Sequence, residues 1–323
     1  MYSSNIKATG SYVPNNIVKN GDLAEIVDTS DEWIRTRTGI GERRISLSEN
    51  TSDMAVKAAK DIIKNGNIDP LQIDIIIIAT ISSDYAMPST ACLVQGQIGA
   101  LKAFAFDITA ACSGFVYALS VADKFLKSGI YKSALVIGAE TLSKTLDWSD
   151  RATCVLFGDG AAGVYLERKE QGGILAENLG SDGKGGMALT SGYTEVSNIF
   201  NKKERELPSY VSMNGREILK FVTKTLPISI NKLMENSHIT ESDLTYIVLH
   251  QANERIIEAV AKKMKIPLQK FYINIFQYGN TSAASIPIAL DEMNRKGLLK
   301  AKDKIVISGF GAGLTWGSML IEW

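Results

Sequence analysis

The chain has 323 residues, 45% of them hydrophobic, enough for a large core or two fused ones, and its 35 basic residues balance 35 acidic ones, which argues against nucleic-acid binding by bulk charge. The longest apolar run, Ile73 to Ile81 broken by Asp74, is too short to cross a bilayer, and the N-terminus has no basic-then-apolar signal pattern. Three cysteines (Cys92, Cys112, Cys154) without zinc-type spacing point to a reducing cytoplasm, and with only two histidines, His238 and His250, no metal site is expected.

In chain order, a short strand at Ile6–Ala8 and a Val13-Pro14 turn precede Thr29-Ser-Asp-Glu-Trp-Ile-Arg-Thr-Arg, where Thr29 or Ser30 caps a helix and Asp31 and Glu32 suit its positive end. Trp33 beside Arg35 and Arg37 reads two ways, as core filling with a solvated basic face or as a nucleotide grip by stacking and phosphate pairing. An amphipathic helix over 53–65 ends at Gly66, and a buried strand over Asp74–Thr80 leads to a loop with Pro88 and a helix over 89–98. The strand Phe104–Ile108 then runs directly into a helix marked by Phe115, Leu119, Ala122 and Leu126, with Cys112 at the junction. A helix mouth favours thiolate over thiol, so Cys112 is a candidate nucleophile there; its alternative is a small buried hydrophobe. A strand over Ser133–Ala139 completes an alternation that predicts an α/β fold.

The alternation then repeats. The segments at Asp74, Ala105, Ala118 and Ala134 have counterparts at Tyr246, Tyr272, Ala289 and Lys304, in the same order and about 170 residues on. That spacing predicts an internal duplication with halves 1–172 and 173–323, meeting near Gly172-Gly173, and makes the Gly/Ser/Asn-rich segment 178–213 an insertion or loop before a helix starting near Asn214. Gly158-Asp-Gly-Ala-Ala-Gly fits the dinucleotide fingerprint by letter, but Val164-Tyr-Leu after it is strand-like where a helix is required.

The duplication places Cys112 opposite Asn280 or Thr281, and His250 at the end of the strand matching the one that ends at Thr80. If strand ends from both halves face one centre, Cys112, His250 and Asn280 converge there. His238, in a polar turn, fits a surface role instead. Gly309-Phe-Gly-Ala-Gly is either a plain bend or a tight turn aiming the Ala312 N–H into the site as an oxyanion donor.

Asp107-x4-Cys112-Ser-Gly-Phe, His250-Gln-Ala-Asn253, Gly279-Asn280-Thr-Ser-Ala-Ala-Ser and Gly311-Ala-Gly-Leu-Thr-Trp-Gly together resemble β-ketoacyl-acyl carrier protein synthase III, the initiating condensing enzyme of type II fatty acid synthesis. The resemblance spans essentially the whole chain, from Gly10-Ser-Tyr-Val-Pro to Trp323. It implies the thiolase fold, two α/β halves in a five-layered αβαβα unit, and a homodimer. It also implies Cys112, His250 and Asn280 as the catalytic set, with the Cys112 and Ala312 backbone N–H groups as oxyanion donors. By the same resemblance Trp33, Arg37, Arg151 and Asn253 hold coenzyme A, which favours the nucleotide reading of Trp33, and Lys220 and Arg255 face the acyl carrier protein, a surface to which the nearby Lys262 and Lys263 are added.

The implied reaction has two stages: acyl transfer from acyl-CoA to Cys112, then decarboxylative attack by malonyl-acyl carrier protein. Both are substrates; no metal or redox cofactor is implied. Two positions depart from relatives with aromatic residues, Met87 and Leu219, both expected along the primer pocket. A compliant methionine leaves acetyl and longer or branched primers open.

Overall fold

The computed structural model describes residues 2–201, 207 and 209–323. The isoleucine run Ile75–Ala79 is an interior strand of a first sheet, parallel to Phe104–Ile108 on one side and to Ser133–Glu140 on the other. Helices cover both faces of this strand, so it is apolar throughout instead of alternating. Gly160–Lys169 adds antiparallel to Ser133–Glu140, and Ser3–Tyr12 closes the edge.

The second sheet repeats that order. Tyr246–Leu249 lies parallel to Lys304–Gly311, then Thr315–Glu322 and Gly173–Ser181 follow antiparallel. Where the first sheet has Phe104–Ile108, the second keeps a single bridge from Ile247 to Phe271, with the Tyr272 N–H donating to the Ile247 carbonyl at 3.1 Å. The sequence repeat is therefore a repeat of topology, with one strand worn down to a bridge.

Five layers stack around three apolar seams. Thr51–Gly66 and Thr90–Ile98 cover the outer face of the first sheet. Gly114–Lys127 and Ser285–Arg295 lie between the sheets, where Phe115, Leu119, Ile286 and Leu290 meet Ile77, Val136, Ile305 and Ile307. Gly215–Asn236 and Glu254–Met264 cover the outer face of the second sheet. Among the described residues no helix is long and apolar enough to cross a membrane.

Several boundaries differ from the sequence reading. The first strand runs Ser3–Tyr12, because its pairing with Gly160–Lys169 extends well past Ile6–Ala8. The segment 178–213 is not wholly a loop. Its start belongs to the edge strand Gly173–Ser181, and Leu189–Thr190 pairs with Ser212–Met213; residues 202–206 and 208 of it lie outside the described residues. The Gly158–Gly163 stretch enters a strand, as its sequel implied.

Gly138 shows how closely the layers interlock. A Cβ there would run into the backbone carbonyl of Ala283, in the turn that carries Asn280 toward the next helix. Backbone cannot swing aside as a side-chain tip can. Gly138→Ala is expected to destabilise by about 1–3 kcal/mol, read as a lower urea midpoint at unchanged slope; an unchanged midpoint would mean the layers yield there.

Candidate active site

The sequence around Cys112 builds a turn before it builds a helix. Ala111–Ser113 form one 3-10 turn, with Ala111 at φ 45°, and the α-helix proper starts at Gly114. The Ser113 hydroxyl, 2.8 Å from both the Ala110 carbonyl and the Thr315 hydroxyl, fixes that turn to the second sheet. Gly311 is required opposite it: a Cβ there would sit 2.7 Å from the Cys112 backbone nitrogen. The glycines after Lys304–Ile307 thus let the second half approach the cysteine turn at backbone distance. Ala312 follows them and lines a cavity with Cys112.

His250 caps the C-terminal end of Tyr246–Leu249 and is 1% exposed. Its Nδ1 lies 2.6 Å from the Ser285 hydroxyl, which also accepts from the Gln251 N–H at 3.3 Å. With Ser285 donating its proton to Nδ1, the ring proton sits on Nε2. Nε2 is buried without a partner. Burial pushes the imidazole down to about 3, so the ring stays neutral at working pH. Phe310 meets it edge-on, with centroids 5.0 Å apart.

Asn280 is held by its backbone, which donates to Leu156 O at 2.9 Å and accepts from the Gly158 N–H at 3.0 Å. Its Oδ1 accepts from the Ser282 N–H at 2.8 Å, so the amide presents Nδ2 as the outward donor.

The three predicted residues come together on one chamber of about 210 Å³, with Arg37, Asn253, Arg255 and Leu219 also on its wall. A second chamber of about 880 Å³ is lined by Ile81, Leu142, Val211, Ser282 and Ala312. Cys112, Phe157 and Leu189 line both, which puts the sulfur where the two meet. This convergence at strand ends is the one anticipated from the duplication.

Trp33 lies between two guanidinium groups, Arg37 at 4.5 Å and Arg151 at 4.8 Å from its ring centroid. The Asn253 side chain caps Glu254–Met264 and donates to the Arg37 carbonyl at 3.0 Å, tying this aromatic platform to the narrow chamber. Lys220, Arg255, Lys262 and Lys263 are exposed on the two helices outside the second sheet, and Lys263 donates to Thr223 O at 3.0 Å.

Three of the expected features are placed as follows. Met87 is 85% exposed and lines neither chamber of its own chain. The helix after it is anchored, with the Thr90 and Ala91 N–H groups donating to the Asp107 carboxylate at 2.7 and 2.8 Å. Leu219 lines the narrow chamber with Arg37 and Asn253, not the larger one. The third concerns the sulfur. Burial pushes the Cys112 thiol up to about 12 and the Glu140 carboxylate pushes it the same way, while the Ser282 hydroxyl and a backbone hydrogen bond oppose them. Burial therefore works against the thiolate that the helix mouth favours.

The sequence reading missed two residues in contact with this set. Ser285 orients His250 and belongs to the same Asn-Thr-Ser-Ala-Ala-Ser run as Asn280. Glu140 is wholly buried at the end of Ser133–Glu140; a carboxylate closing an otherwise uncharged strand was the available signal.

Residues 106–183 match the family described as 3-oxoacyl-[acyl-carrier-protein (ACP)] synthase III, and residues 234–323 match its C-terminal part. The chain is 55% identical over 323 residues to the beta-ketoacyl-[acyl-carrier-protein] synthase III of Clostridium novyi (strain NT), with 100% of each covered. It is also 55% identical to that of Clostridium acetobutylicum, over 100% of this chain and 99% of the relative. Its fold matches the crystal structure of 3-oxoacyl-[acyl-carrier-protein] synthase III from Aquifex aeolicus VF5 with a TM-score of 0.92 at 45% identity, over 99% of this chain and 100% of that one.

Proposed function

The chain belongs to the beta-ketoacyl-[acyl-carrier-protein] synthase III family, and from that premise we propose that Cys112, His250 and Asn280 divide the initiating condensation of fatty acid synthesis between them. The protein is an acyltransferase of the condensing class with the thiolase fold. One observation carries the residue assignment: the sulfur sits where two chambers meet, with the unpartnered His250 Nε2 on the wall of the narrower one.

The Cys112 sulfur attacks the carbonyl of an acyl-CoA. The oxyanion is held by the Cys112 and Ala312 backbone N–H groups, and CoA thiolate departs. Malonyl-acyl carrier protein then enters the narrow chamber and loses carbon dioxide. Negative charge develops on its thioester oxygen, where the His250 Nε2–H and the Asn280 amide donate. The carbanion attacks acyl-Cys112, giving a 3-oxoacyl-carrier protein and freeing the sulfur. A papain-like hydrolase would need the histidine to take the thiol proton, and a ring pushed down to about 3 is a poor acceptor.

Trp33, Arg37 and Arg151 take the nucleotide end of coenzyme A, Asn253 takes the arm, and Lys220, Arg255, Lys262 and Lys263 form the basic face for the acidic carrier protein. Leu219 contacts the thioester-bearing arm, and the larger chamber takes the primer. The reaction uses no metal or redox cofactor; the protein works as a cytoplasmic homodimer whose duplicated halves are residues 1–172 and 173–323.

Intact-mass measurement after incubation with a panel of acyl-CoAs tests the reading. An acyl adduct on Cys112, converted to 3-oxoacyl-carrier protein when malonyl-acyl carrier protein is added, is expected; free acid without carbon–carbon bond formation would refute it. Trp33→Ala removes the stacking face, worth about 1–3 kcal/mol. It is therefore expected to raise the KM for acyl-CoA about tenfold or more and leave kcat within a few-fold; an unchanged KM would remove Trp33 from the nucleotide site.

A further inference from the structure

Asn280 acts through the end of its side chain, and a carboxamide has two ends. Turned one way it offers the Nδ2 donors to a developing enolate; turned the other it offers Oδ1, an acceptor that repels the same charge. The backbone of Asn280 is already fixed on Leu156 and Gly158, so what remains to be set is the amide. One bond sets it, from the Ser282 N–H to Oδ1 at 2.8 Å. Ser282 must therefore be held in its turn. Its backbone is left-handed, at φ 49°, a conformation strained for a residue with a side chain and kept only where the surroundings impose it.

That restraint comes from the first half of the chain. The Ser282 hydroxyl donates to Glu140 Oε1 at 3.0 Å, and Glu140 is wholly buried at the end of Ser133–Glu140. Glu140 Oε2 accepts from the hydroxyls of Ser82 at 2.5 Å and Thr80 at 3.2 Å, and from the Ile81 N–H at 3.2 Å. Each of those hydroxyls also accepts a backbone N–H, Ser82 from Thr141 at 2.9 Å and Thr80 from Ser82 at 3.1 Å, which leaves their own protons for the carboxylate. Among the described residues no cation pairs with Glu140. These neutral donors oppose the burial that pushes its carboxyl up to about 7, and above that pH both oxygens are acceptors. Two residues earlier, Gly138 packs against the Ala283 carbonyl. One strand thus grips the Asn280 turn twice, by close contact at Gly138 and by a hydrogen bond at Glu140.

We propose that Glu140 is a positioning residue for condensation, locking the turn at Ser282 so that the Asn280 amide nitrogen faces the malonyl thioester. The inference rests on the reading of Asn280 as a donor to the enolate. No bond is made or broken at Glu140. Its charge serves geometry: a carboxylate accepts at both oxygens at once, Ser282 on one and the Thr80–Ser82 segment on the other. A glutamine accepts at one end only, and its NH2 would meet the hydroxyl protons at the other. Thr80, Ile81 and Ser282 line the larger chamber, so the same carboxylate ties the Asn280 turn to the wall that takes the primer. His250 stands outside this clamp, since its Nδ1 is engaged by Ser285. Loss of Glu140 is therefore loss of one donor of the two.

The test is a double-mutant cycle at pH 8 on the full chain. Glu140→Gln and Ser282→Ala are each made alone and in an Asn280→Ala background. Acyl loading of Cys112 is followed by intact mass, and condensation by single turnover of the loaded protein with malonyl-acyl carrier protein, with Tm recorded for each variant. Alone, each change is expected to slow condensation about 10- to 100-fold, while loading falls less than about threefold. In the Asn280→Ala background the same changes are expected to cost no more than about twofold, because the group they position is already gone. A general loosening of the fold would instead carry its full cost into that background. If Glu140→Gln does not fold, Ser282→Ala alone decides, since it removes the hydroxyl and leaves the N–H that holds Oδ1. Condensation within threefold of the unaltered protein, an undiminished cost in the Asn280→Ala background, or loading that falls in step with condensation overturns the positioning role. Condensation left unchanged by Asn280→Ala itself overturns the donor reading instead.

Discussion

Cys112→Ala is expected to abolish the acyl adduct and to lower condensation by on the order of 10⁵-fold, the scale on which removal of a reacting nucleophile acts. The size of the loss follows from what replaces the sulfur. A methyl group cannot hold the acyl chain between the two stages, and no second thiol can substitute. Cys92 lies on the exposed side of Thr90–Ile98, and Cys154 is buried in another apolar cluster. The donors across the chamber are not touched. His250 is oriented by Ser285 and Asn280 by Ser282, and neither bond involves the sulfur. Carbon dioxide release from malonyl-acyl carrier protein should therefore continue without condensation, giving acetyl-carrier protein. The measurement pairs intact mass of the protein with product analysis of the carrier. Residual 3-oxoacyl product above the uncatalysed background would remove Cys112 from the chemistry, and loss of decarboxylation together with condensation at unchanged Tm would mean that the sulfur also organises the donors.

Most of the architecture was legible because it follows from periodicity. The isoleucine run, the helical spacing from Phe115 to Leu126 and the recurrence about 170 residues on each survive in the two sheets and the central helix pair. The recurrence also pointed to the site, since it set Asn280 or Thr281 against Cys112 and His250 at a matching strand end. What could not be read is dielectric. A helix mouth looks the same in sequence whether exposed or buried, and at Cys112 burial works against the thiolate that the amide dipoles favour. Met87 lines neither chamber of its own chain, and the helix after it is anchored on Asp107, a residue of another strand. Glu140 escaped notice because one carboxylate at a strand end is unremarkable until Thr80 and Ser82 from one segment and Ser282 from another are found around it.

His250→Ala and Asn280→Ala are each expected to slow condensation by about 10²–10³-fold, the effect of removing one preorganised donor from a developing oxyanion. Acyl loading on Cys112 should stay within several-fold, because neither residue takes the thiol proton or touches the backbone donors. This split separates donors from bases: a His250 acting as base would lose loading and condensation together. Asn280→Asp should be worse than Asn280→Ala, since it sets an acceptor with negative charge where the enolate forms, while Ser282 still donates to its Oδ1. The same burial that keeps His250 a neutral donor has a consequence for stability. An unfolded chain takes up a proton on this ring at 6.5, whereas the folded ring resists until about 3. The contribution is present above pH 6.5 and is lost as pH falls through that window, by a few kcal/mol in total. His250→Ala removes this linkage, so its stability should fall less steeply between pH 6 and 4 in urea titrations than that of the unaltered protein. Equal slopes, together with loading lost alongside condensation, would show the ring to be charged and would reverse its role.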